Sequence, residues 1–163
     1  MNTKEYNECV DLYSDSIYRF ILKNIKNSET TNDIIQETFL KLWTKRKDVD
    51  FNTIKSYLFT IAYHTMIDYI RKEKKITSLD SVSFEPFNES TGNEYTGIRE
   101  VLSKGLEKLP TLQKSLILLR DYEGYSYKEI GDIVNISESQ VKVYIFRARK
   151  SLKSYLGSLE QVI

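Results

Sequence analysis

The chain has 163 residues, of which 40% are hydrophobic and 29% are charged, and its formal net charge is +1. This composition excludes a chain that is disordered throughout, because it supplies enough apolar side chains for a modest core. The apolar runs are broken by charges and fall far short of the roughly 20 residues that cross a bilayer, and the N-terminus lacks an apolar signal core. We therefore expect a soluble, cytoplasmic protein with one or two small domains.

The first half of the chain predicts three amphipathic helices. Apolar residues follow helical spacing from Val10 to Ile21, and a polar run near residues 26–31 ends this helix. A second helix covers Asp33 to Trp43, with acidic side chains early and basic ones late, which complements the helix dipole. A third runs from about Thr53 to Lys74. Three such helices can bury one another's apolar stripes as a small bundle.

Residues 77–97 lose the helical periodicity and are rich in Ser, Thr, Asn, Glu and Gly. This stretch has acidic residues and no Lys or Arg, whereas basic residues dominate Arg71–Lys75 and Lys142–Lys153. A connection of this length is unusual inside one compact domain. We therefore predict an all-α fold of two domains, residues 1–76 and 98–163, joined by a flexible acidic linker at 77–97.

The second domain is predicted to contain a helix-turn-helix. An apolar stripe ends at Pro110 and another near Gly124, which gives two short helices. Two capping-box patterns follow, Ser126 to Glu129 and Ser137 to Gln140, in which serine accepts a backbone N–H and Glu or Gln reaches back. These helix starts lie eleven residues apart with Asn135 between them, a spacing typical of a helix-turn-helix. The first stripe comprises Ile98, Leu102, Leu106 and Leu109.

The second helix of this motif carries side chains suited to a DNA major groove. Arg147 can bind guanine, and Gln140 can bind adenine or a phosphate. Val143 or Phe146 can contact a thymine methyl group. The buried face is predicted to carry Val141, Ile145, Ala148 and Leu152. The candidate DNA contacts are Ser139, Gln140, Lys142, Val143, Phe146, Arg147 and Lys150, with Arg149 as a further phosphate candidate. The simpler alternative is a basic amphipathic helix whose charges are only solvated.

Three sequence blocks occur in an order that narrows the function. They are DIIQETFLKLW from Asp33, YLFTIAYHTMIDYIRK from Tyr57, and LPTLQKSLILLRDYEGYSYKEIGDIVNISESQVKVYIFRARKSL from Leu109. Together they resemble an extracytoplasmic-function (ECF) sigma factor of the sigma-70 family, and with the linker the resemblance covers nearly the whole chain. It implies a subunit that binds core RNA polymerase and directs transcription initiation at particular promoters.

The resemblance also implies roles for the first domain. Its second helix would bind core polymerase through Asp33, Gln36, Glu37 and Leu40, although helix-dipole placement explains the acids equally well. Its third helix would melt and read the −10 element. Loop 48–52 and the adjoining start of this helix would form a pocket for an unstacked base. Aromatic rings suit that pocket, but Tyr57 and Tyr69 share the apolar stripe and are better explained by core packing. The −10 candidates are Tyr63, His64, Arg71, Lys72, Lys74 and Lys75.

Two departures from the family pattern leave the promoter preference open. Many members have Arg-Asn where this chain has Tyr63-His64, in the −10 region. Many have Ser-Arg where it has Val143-Tyr144, in the helix that the resemblance assigns to the −35 element. We expect the −35 preference to differ from that of those members. The acidic linker resembles the family's connector, which lies in the RNA exit path.

Other functions explain less of the sequence. A plain helix-turn-helix repressor or activator would leave the N-terminal blocks unexplained, and an adaptor that binds no DNA would leave Arg147 and the basic run unexplained. An enzyme is not expected, because the sequence shows no recognisable nucleophile–base pair, phosphate-binding loop or set of metal ligands. Cys9 has no partner for a disulfide and is expected to fill the core, and no cofactor is expected. Because no sensor region is visible, the resemblance implies an anti-sigma factor as a partner.

Overall fold

The computed structural model describes residues 1–80 and 97–160, and every regular element within them is helical. The prediction of an all-α fold is confirmed. The described residues separate into two compact units, one on each side of the interval between 80 and 97. Most of the predicted linker, residues 81–96, lies outside the described residues.

The first unit is a bundle of three helices. They are α1 (Thr3–Ile25), α2 (Ser28–Lys45) and α3 (Ile54–Asp80), and two 3₁₀ turns at Arg46–Asp48 and Phe51–Thr53 join α2 to α3. Asn2 and Asn27 cap α1 and α2 by accepting backbone N–H groups of their first turns. Lys26 ends α1 in the left-handed conformation, with φ at 59°, which permits a tight connection to α2.

The core of the first unit lies where the apolar stripes of the three helices meet. The rings of Phe20 and Phe59 pack edge to face with centroids 5.5 Å apart. Cys9 is fully buried, and burial together with nearby Glu5 and Glu8 raises the pKa of its thiol. The fully buried apolar side chains of this unit are Cys9, Ile17, Ile21, Ile34, Leu42, Ile54, Leu58, Phe59, Ala62 and Met66.

Helix α3 is longer than its sequence pattern predicts. The pattern ends the helix near Lys74, whereas the helical backbone runs to Asp80 and includes the first four residues of the predicted linker. The sequence predicted the end of α3 near Lys74 because the apolar periodicity is lost after that residue. No Gly or Pro lies between Lys74 and Asp80, so the backbone can continue in helical geometry after the apolar stripe has ended.

The second unit contains four helical stretches. They are α4 (Ile98–Glu107), α5 (Thr111–Ile117), which continues as a π-helical turn at Leu118–Tyr122, α6 (Tyr127–Val134) and α7 (Glu138–Glu160). Pro110 precedes the first residue of α5, and Gly124 takes a φ of 75° in the turn before α6. Both breaks lie where the sequence predicts them.

Helix α4 approaches α7 closely at Gly105, where a Cβ atom would require two side chains of α7 to shift. A Cβ atom at this position would lie 2.9 Å from Cδ2 of Leu152 and 3.1 Å from Cδ1 of Tyr155. The contact lies in the second half of α4, so its first turn is left in water. Ile98, predicted as part of the apolar stripe, is accordingly 76% exposed.

The helix-turn-helix is formed by α6 and α7, with both predicted capping boxes in place. The N–H of Glu129 donates to Oγ of Ser126 at 3.1 Å, and the N–H of Gln140 donates to Oγ of Ser137 at 3.1 Å. Asn135 makes the turn in the left-handed conformation, with φ at 62°. A Cβ atom on Gly131 would lie 2.7 Å from the carbonyl oxygen of Ile136. The tight turn therefore requires glycine there.

Replacing this glycine should destabilise the second unit. We expect Gly131→Ala to lower the free energy of unfolding by about 1–3 kcal/mol, because the new methyl group meets a backbone oxygen that cannot move aside. Gly157→Ala is the matched control: a Cβ there meets nothing within 4 Å. That change should stabilise α7 by about 0.5–1 kcal/mol. Urea unfolding of both variants tests the prediction, and equal effects of the two substitutions would contradict it.

The first capping box should make stability depend on pH. Hydrogen bonds from the backbone and side chain of Ser126 lower the pKa of the Glu129 carboxyl below its ordinary value of 4.5. A lowered pKa in the folded state means that the stabilisation is complete above 4.5 and is lost as pH falls through the folded value.

We therefore expect Glu129→Gln to cost about 0.5 kcal/mol at pH 7, because the carboxylate near a helix N-terminus is exposed and partly screened. This cost should shrink at pH 3, where the wild-type carboxyl also becomes neutral. Unfolding curves of the two proteins at both pH values measure the difference. A cost that stays constant between pH 7 and pH 3 would contradict the assignment.

Candidate functional site

Helix α7 presents its predicted DNA-binding side chains on one exposed surface. Val141, Ile145 and Ala148 are buried against the rest of the unit, and Leu152 is half-buried. The opposite surface, called here the outer face of α7, is therefore free for a ligand. All of its residues are exposed: Ser139, Gln140, Lys142, Val143, Phe146, Arg147 and Lys150.

The outer face of α7 combines apolar and cationic groups. Phe146 is 69% exposed and Val143 45% exposed, an unusual state for large apolar side chains. The guanidinium of Arg147 lies 5.9 Å from the ring of Tyr144, which is half-buried. An open depression in this surface is lined by Ser139, Gln140, Val143, Tyr144 and Arg147. A surface of donors, cations and apolar groups fits the edges of bases in a major groove.

The second capping box restricts what Gln140 can do. Its Oε1 accepts the N–H of Ser137 at 3.1 Å and the hydroxyl of the same serine at 3.2 Å. Reading adenine requires both the oxygen and the amino group of the amide, so a bidentate contact would break the cap. In the capped state Gln140 offers only N–H donors, which suit a phosphate or a single base acceptor.

A stack of cations and one aromatic ring joins the two helices of the motif. The guanidinium of Arg120 lies 4.3 Å above the ring of Tyr127, and Nζ of Lys142 lies 5.8 Å from the same ring. Arg120 also donates to the carbonyl of Tyr125 at 2.9 Å. Sequence reasoning missed this group, because Arg120 and Tyr127 belong to separate helical stretches and no local spacing pairs them. The stack holds one of the basic side chains of the outer face.

Arg149, a further phosphate candidate, has a partner within the protein. Its Nη2 lies 2.9 Å from Oδ1 of Asp121 on the π-helical turn. Both side chains are about half exposed, so this pair adds little to stability. It directs the arginine toward the π-helical turn that follows α5 and not toward the outer face of α7.

In the first unit, the basic run in the C-terminal half of α3 is exposed. Arg71, Lys72, Lys74 and Lys75 are exposed, and so is His64. Tyr63 is different: it is only 6% exposed, and burial raises the pKa of its hydroxyl while nearby Arg71 opposes the shift. A ring buried to this extent cannot offer its face to an unstacked base. It lies beside His64 instead, with ring centroids 5.3 Å apart.

The loop before α3 is built of two short turns. Oδ1 of Asp50 accepts the N–H of Asn52 at 3.0 Å and so caps the second turn. Asp48, Asp50 and Asn52 are exposed, whereas Val49 is half-buried. The loop thus presents polar side chains next to the start of α3.

The predicted polymerase-binding residues share one side of α2. Asp33, Gln36 and Leu40 are exposed and Glu37 is half-buried, at helical spacings that align them. We call these four residues the outer face of α2. Leu40 is 60% exposed, a large apolar side chain at the C-terminal end of an otherwise polar surface. An exposed leucine in this setting suits contact with another protein.

One lysine braces this face against α3. Nζ of Lys41 donates a hydrogen bond to Oγ1 of Thr65 at 2.9 Å. The same nitrogen lies 3.4 Å from the carboxylate of Glu37. Thr65 is buried in α3. The link couples the two helices that carry the candidate polymerase and −10 surfaces. Sequence reasoning missed it, because its members lie far apart in the chain.

Comparison with known proteins decides the family. The chain matches Sigma-70 region 2 over residues 9–76 and Sigma-70, region 4 over residues 99–152. It is 33% identical over 150 residues to the ECF RNA polymerase sigma factor SigM of Bacillus subtilis, covering 90% of this chain and 92% of that protein. The chain belongs to the ECF sigma factors. It is also 30% identical over 149 residues to the sigma factor SigV of B. subtilis, covering 91% and 89% of the two chains.

Solved structures show the same fold. The sigma factor RpoE from Bartonella quintana, solved with the anti-sigma factor NepR, matches with a TM-score of 0.82 at 23% identity, covering 95% of this chain and 98% of that one. CnrH, solved with the cytosolic domain of CnrY, matches with a TM-score of 0.69 at 21% identity, covering 96% and 90%.

Family membership gives the two described units of this ECF sigma factor their names. The first corresponds to region 2 and carries the outer face of α2 and the basic run of α3. The second corresponds to region 4 and carries the helix-turn-helix. A search of the described helices for one long and apolar enough to span a bilayer finds none.

Proposed function

We propose that this ECF sigma factor binds core RNA polymerase through α2 and directs transcription from promoters that it reads at two elements. The observation that carries the proposal is the outer face of α7, a cationic and apolar surface on the second helix of a helix-turn-helix. It stands in a chain that matches both sigma-70 regions. The polymerase supplies the chemistry, and the sigma factor is not an enzyme.

Region 4 is proposed to read the −35 element as duplex DNA. Arg147 is the candidate for a base contact, because its guanidinium can donate two parallel hydrogen bonds to guanine. Lys142 and Lys150 are candidates for phosphates, and Ser139 and capped Gln140 for single donors to the backbone. The stack of Arg120 and Tyr127 would keep Lys142 near the DNA backbone.

Region 2 is proposed to open and hold the −10 element. The exposed cations Arg71, Lys72, Lys74 and Lys75 suit backbone phosphates of the opening duplex. His64 is the candidate for contact with an unstacked base, and loop 48–52, which leads into the start of α3, is the candidate for its pocket. Tyr63 is assigned a supporting role in this proposal, packed behind His64, in place of the stacking role that the sequence suggested.

The outer face of α2 is proposed as the polymerase-binding surface. Leu40 would be buried by the polymerase, while Asp33, Gln36 and Glu37 form polar contacts around it. The link from Lys41 to Thr65 would then connect polymerase binding with the helix that carries the −10 surface. We retain two functional domains, residues 1–76 and 98–163, connected by residues 77–97.

The protein is proposed to act in the cytoplasm, where polymerase and chromosomal DNA are present, and to be controlled by an anti-sigma factor. The RpoE structure was solved with the anti-sigma factor NepR, which supports a partner of this kind. Such a partner would mask surfaces that bind polymerase or DNA.

Co-elution with core polymerase tests the proposed function. An equimolar mixture should elute as one complex, and this complex should retain genomic promoter fragments that the polymerase alone does not retain. A chain that binds DNA by itself and never associates with polymerase would instead be a plain helix-turn-helix regulator.

A further inference from the structure

The apolar part of the outer face of α7 is large for a surface that meets DNA. Phe146 and Val143 are 69% and 45% exposed, and Tyr144 lines the same depression. Isolated apolar side chains on a surface need no explanation, but these adjoin one another on a single helix face. Lys142 is paired with Glu138 at 3.7 Å. Arg147 and Lys150 form no ion pair with the described residues, so the net charge of this face is positive and suits an anionic occupant.

Resting on the proposed function, we infer that this sigma factor reads part of its −35 element through the 5-methyl groups of neighbouring thymines, contacted by Val143 and Phe146. In the major groove the thymine methyl is the one apolar feature of the base edges. An exposed phenylalanine and valine have no hydrogen bond to offer, so this methyl is the group that they can recognise.

The spacing of the two side chains sets which thymines are read. Val143 and Phe146 are three residues apart on α7, which puts their Cβ atoms about 5–6 Å apart on one face. Successive bases of one strand rise by about 3.4 Å. The two side chains therefore match methyl groups on adjacent base pairs and not on pairs half a helical turn apart.

Gln140 reinforces this mode of reading. Its amide oxygen is held in the cap by Ser137, so the two-point contact that identifies adenine would cost the hydrogen bonds of the cap. Arg147 remains as the hydrogen-bonding reader of a flanking guanine. Discrimination at the thymines then falls to apolar contact.

Deoxyuridine tests the inference, because it differs from thymidine only by the missing methyl group. A promoter obtained by selection with the holoenzyme would be prepared with deoxyuridine at each thymine of the −35 element in turn. We expect about fourfold weaker holoenzyme binding at each of two adjacent positions, the effect of losing one buried methyl group. Deoxyuridine outside the two elements should have no effect.

Variants assign the contacts. In Phe146→Ala the penalty at one of the two positions should disappear, and in Val143→Ala the penalty at the other. Lys150→Ala is the matched control on the same face: it should weaken binding to every duplex and keep both deoxyuridine penalties. Both apolar side chains are exposed, so their removal leaves the core intact.

Each contrary result has a distinct meaning. If no −35 deoxyuridine weakens binding while the holoenzyme still binds the selected promoter, methyl reading is overturned and the sigma function stands. If the penalties persist in both alanine variants, the assignment to Val143 and Phe146 is overturned. If Phe146→Ala binds every duplex as the wild type does, the ring serves a protein partner and the inference is wrong. If no holoenzyme–promoter binding is found at all, the proposed function fails with it.

Discussion

Arg147→Ala is expected to weaken binding of the holoenzyme to its promoter by about 1–3 kcal/mol, provided that the −35 element is present. The guanidinium stands on the outer face of α7, at the edge of the depression that also contains Val143. Alanine removes the two parallel N–H donors that can bind the acceptor atoms of guanine. No other side chain of this face has two donors in that arrangement on a planar cation. Random-sequence duplexes should lose much less affinity, since the contact is made to a base.

Arg149→Ala is the matched control for this substitution. It removes the same charge from the same helix, but its guanidinium is engaged by Asp121 at 2.9 Å. We expect a small loss that is equal on promoter and random DNA. Fluorescence anisotropy at one fixed salt concentration measures both variants, because salt changes every phosphate contact. Equal losses for Arg147→Ala on promoter and random DNA would mark it as a phosphate contact and contradict its role as a base reader.

Leu40→Glu is expected to reduce binding to core polymerase by about 2 kcal/mol or more, on the order of 30-fold in Kd. The leucine is 60% exposed at the C-terminal end of the outer face of α2. A carboxylate at that position would be buried without a partner when polymerase covers the face, and an unpaired buried charge is costly. Because the side chain is exposed in the free protein, its replacement should leave the fold unchanged.

Leu12→Glu provides a control in the same domain. Leu12 is 61% exposed, but it lies on α1, which carries none of the residues that the family resemblance assigns to polymerase. Circular dichroism should show both variants folded, and only Leu40→Glu should lose polymerase in a competition titration against the wild-type chain. If Leu12→Glu lost polymerase and Leu40→Glu kept it, the polymerase-binding surface would belong to α1 and not α2.

Local features of the fold could be predicted from the sequence because they depend on neighbouring residues. The capping boxes at Ser126 and Ser137 are of this kind, since each needs residues only three apart. The turn at Asn135 and the buried face of α7 follow from the same short-range rules. The outer face of α7 was therefore predictable as a set of exposed residues.

Features that depend on packing could not be predicted in this way. The burial of Tyr63 follows from how α3 lies in the bundle, and a tyrosine near basic residues gives no sign of it. The pairing of Lys41 with Thr65, and of Arg149 with Asp121, joins residues more than twenty positions apart. The length of α3 was missed for another reason: the apolar periodicity on which the prediction depended ends before the helix does.

Sequencing of RNA 5′ ends tests most directly whether this chain redirects polymerase to promoters of its own. Purified core polymerase would transcribe a genomic promoter library with the wild-type chain, with Arg147→Ala, and with no sigma factor. We predict new start sites with the wild-type chain, each preceded by two shared motifs at a constant spacing, and weaker use of those sites with Arg147→Ala. Start sites that do not change when the chain is added, despite its binding to DNA, would contradict the sigma function.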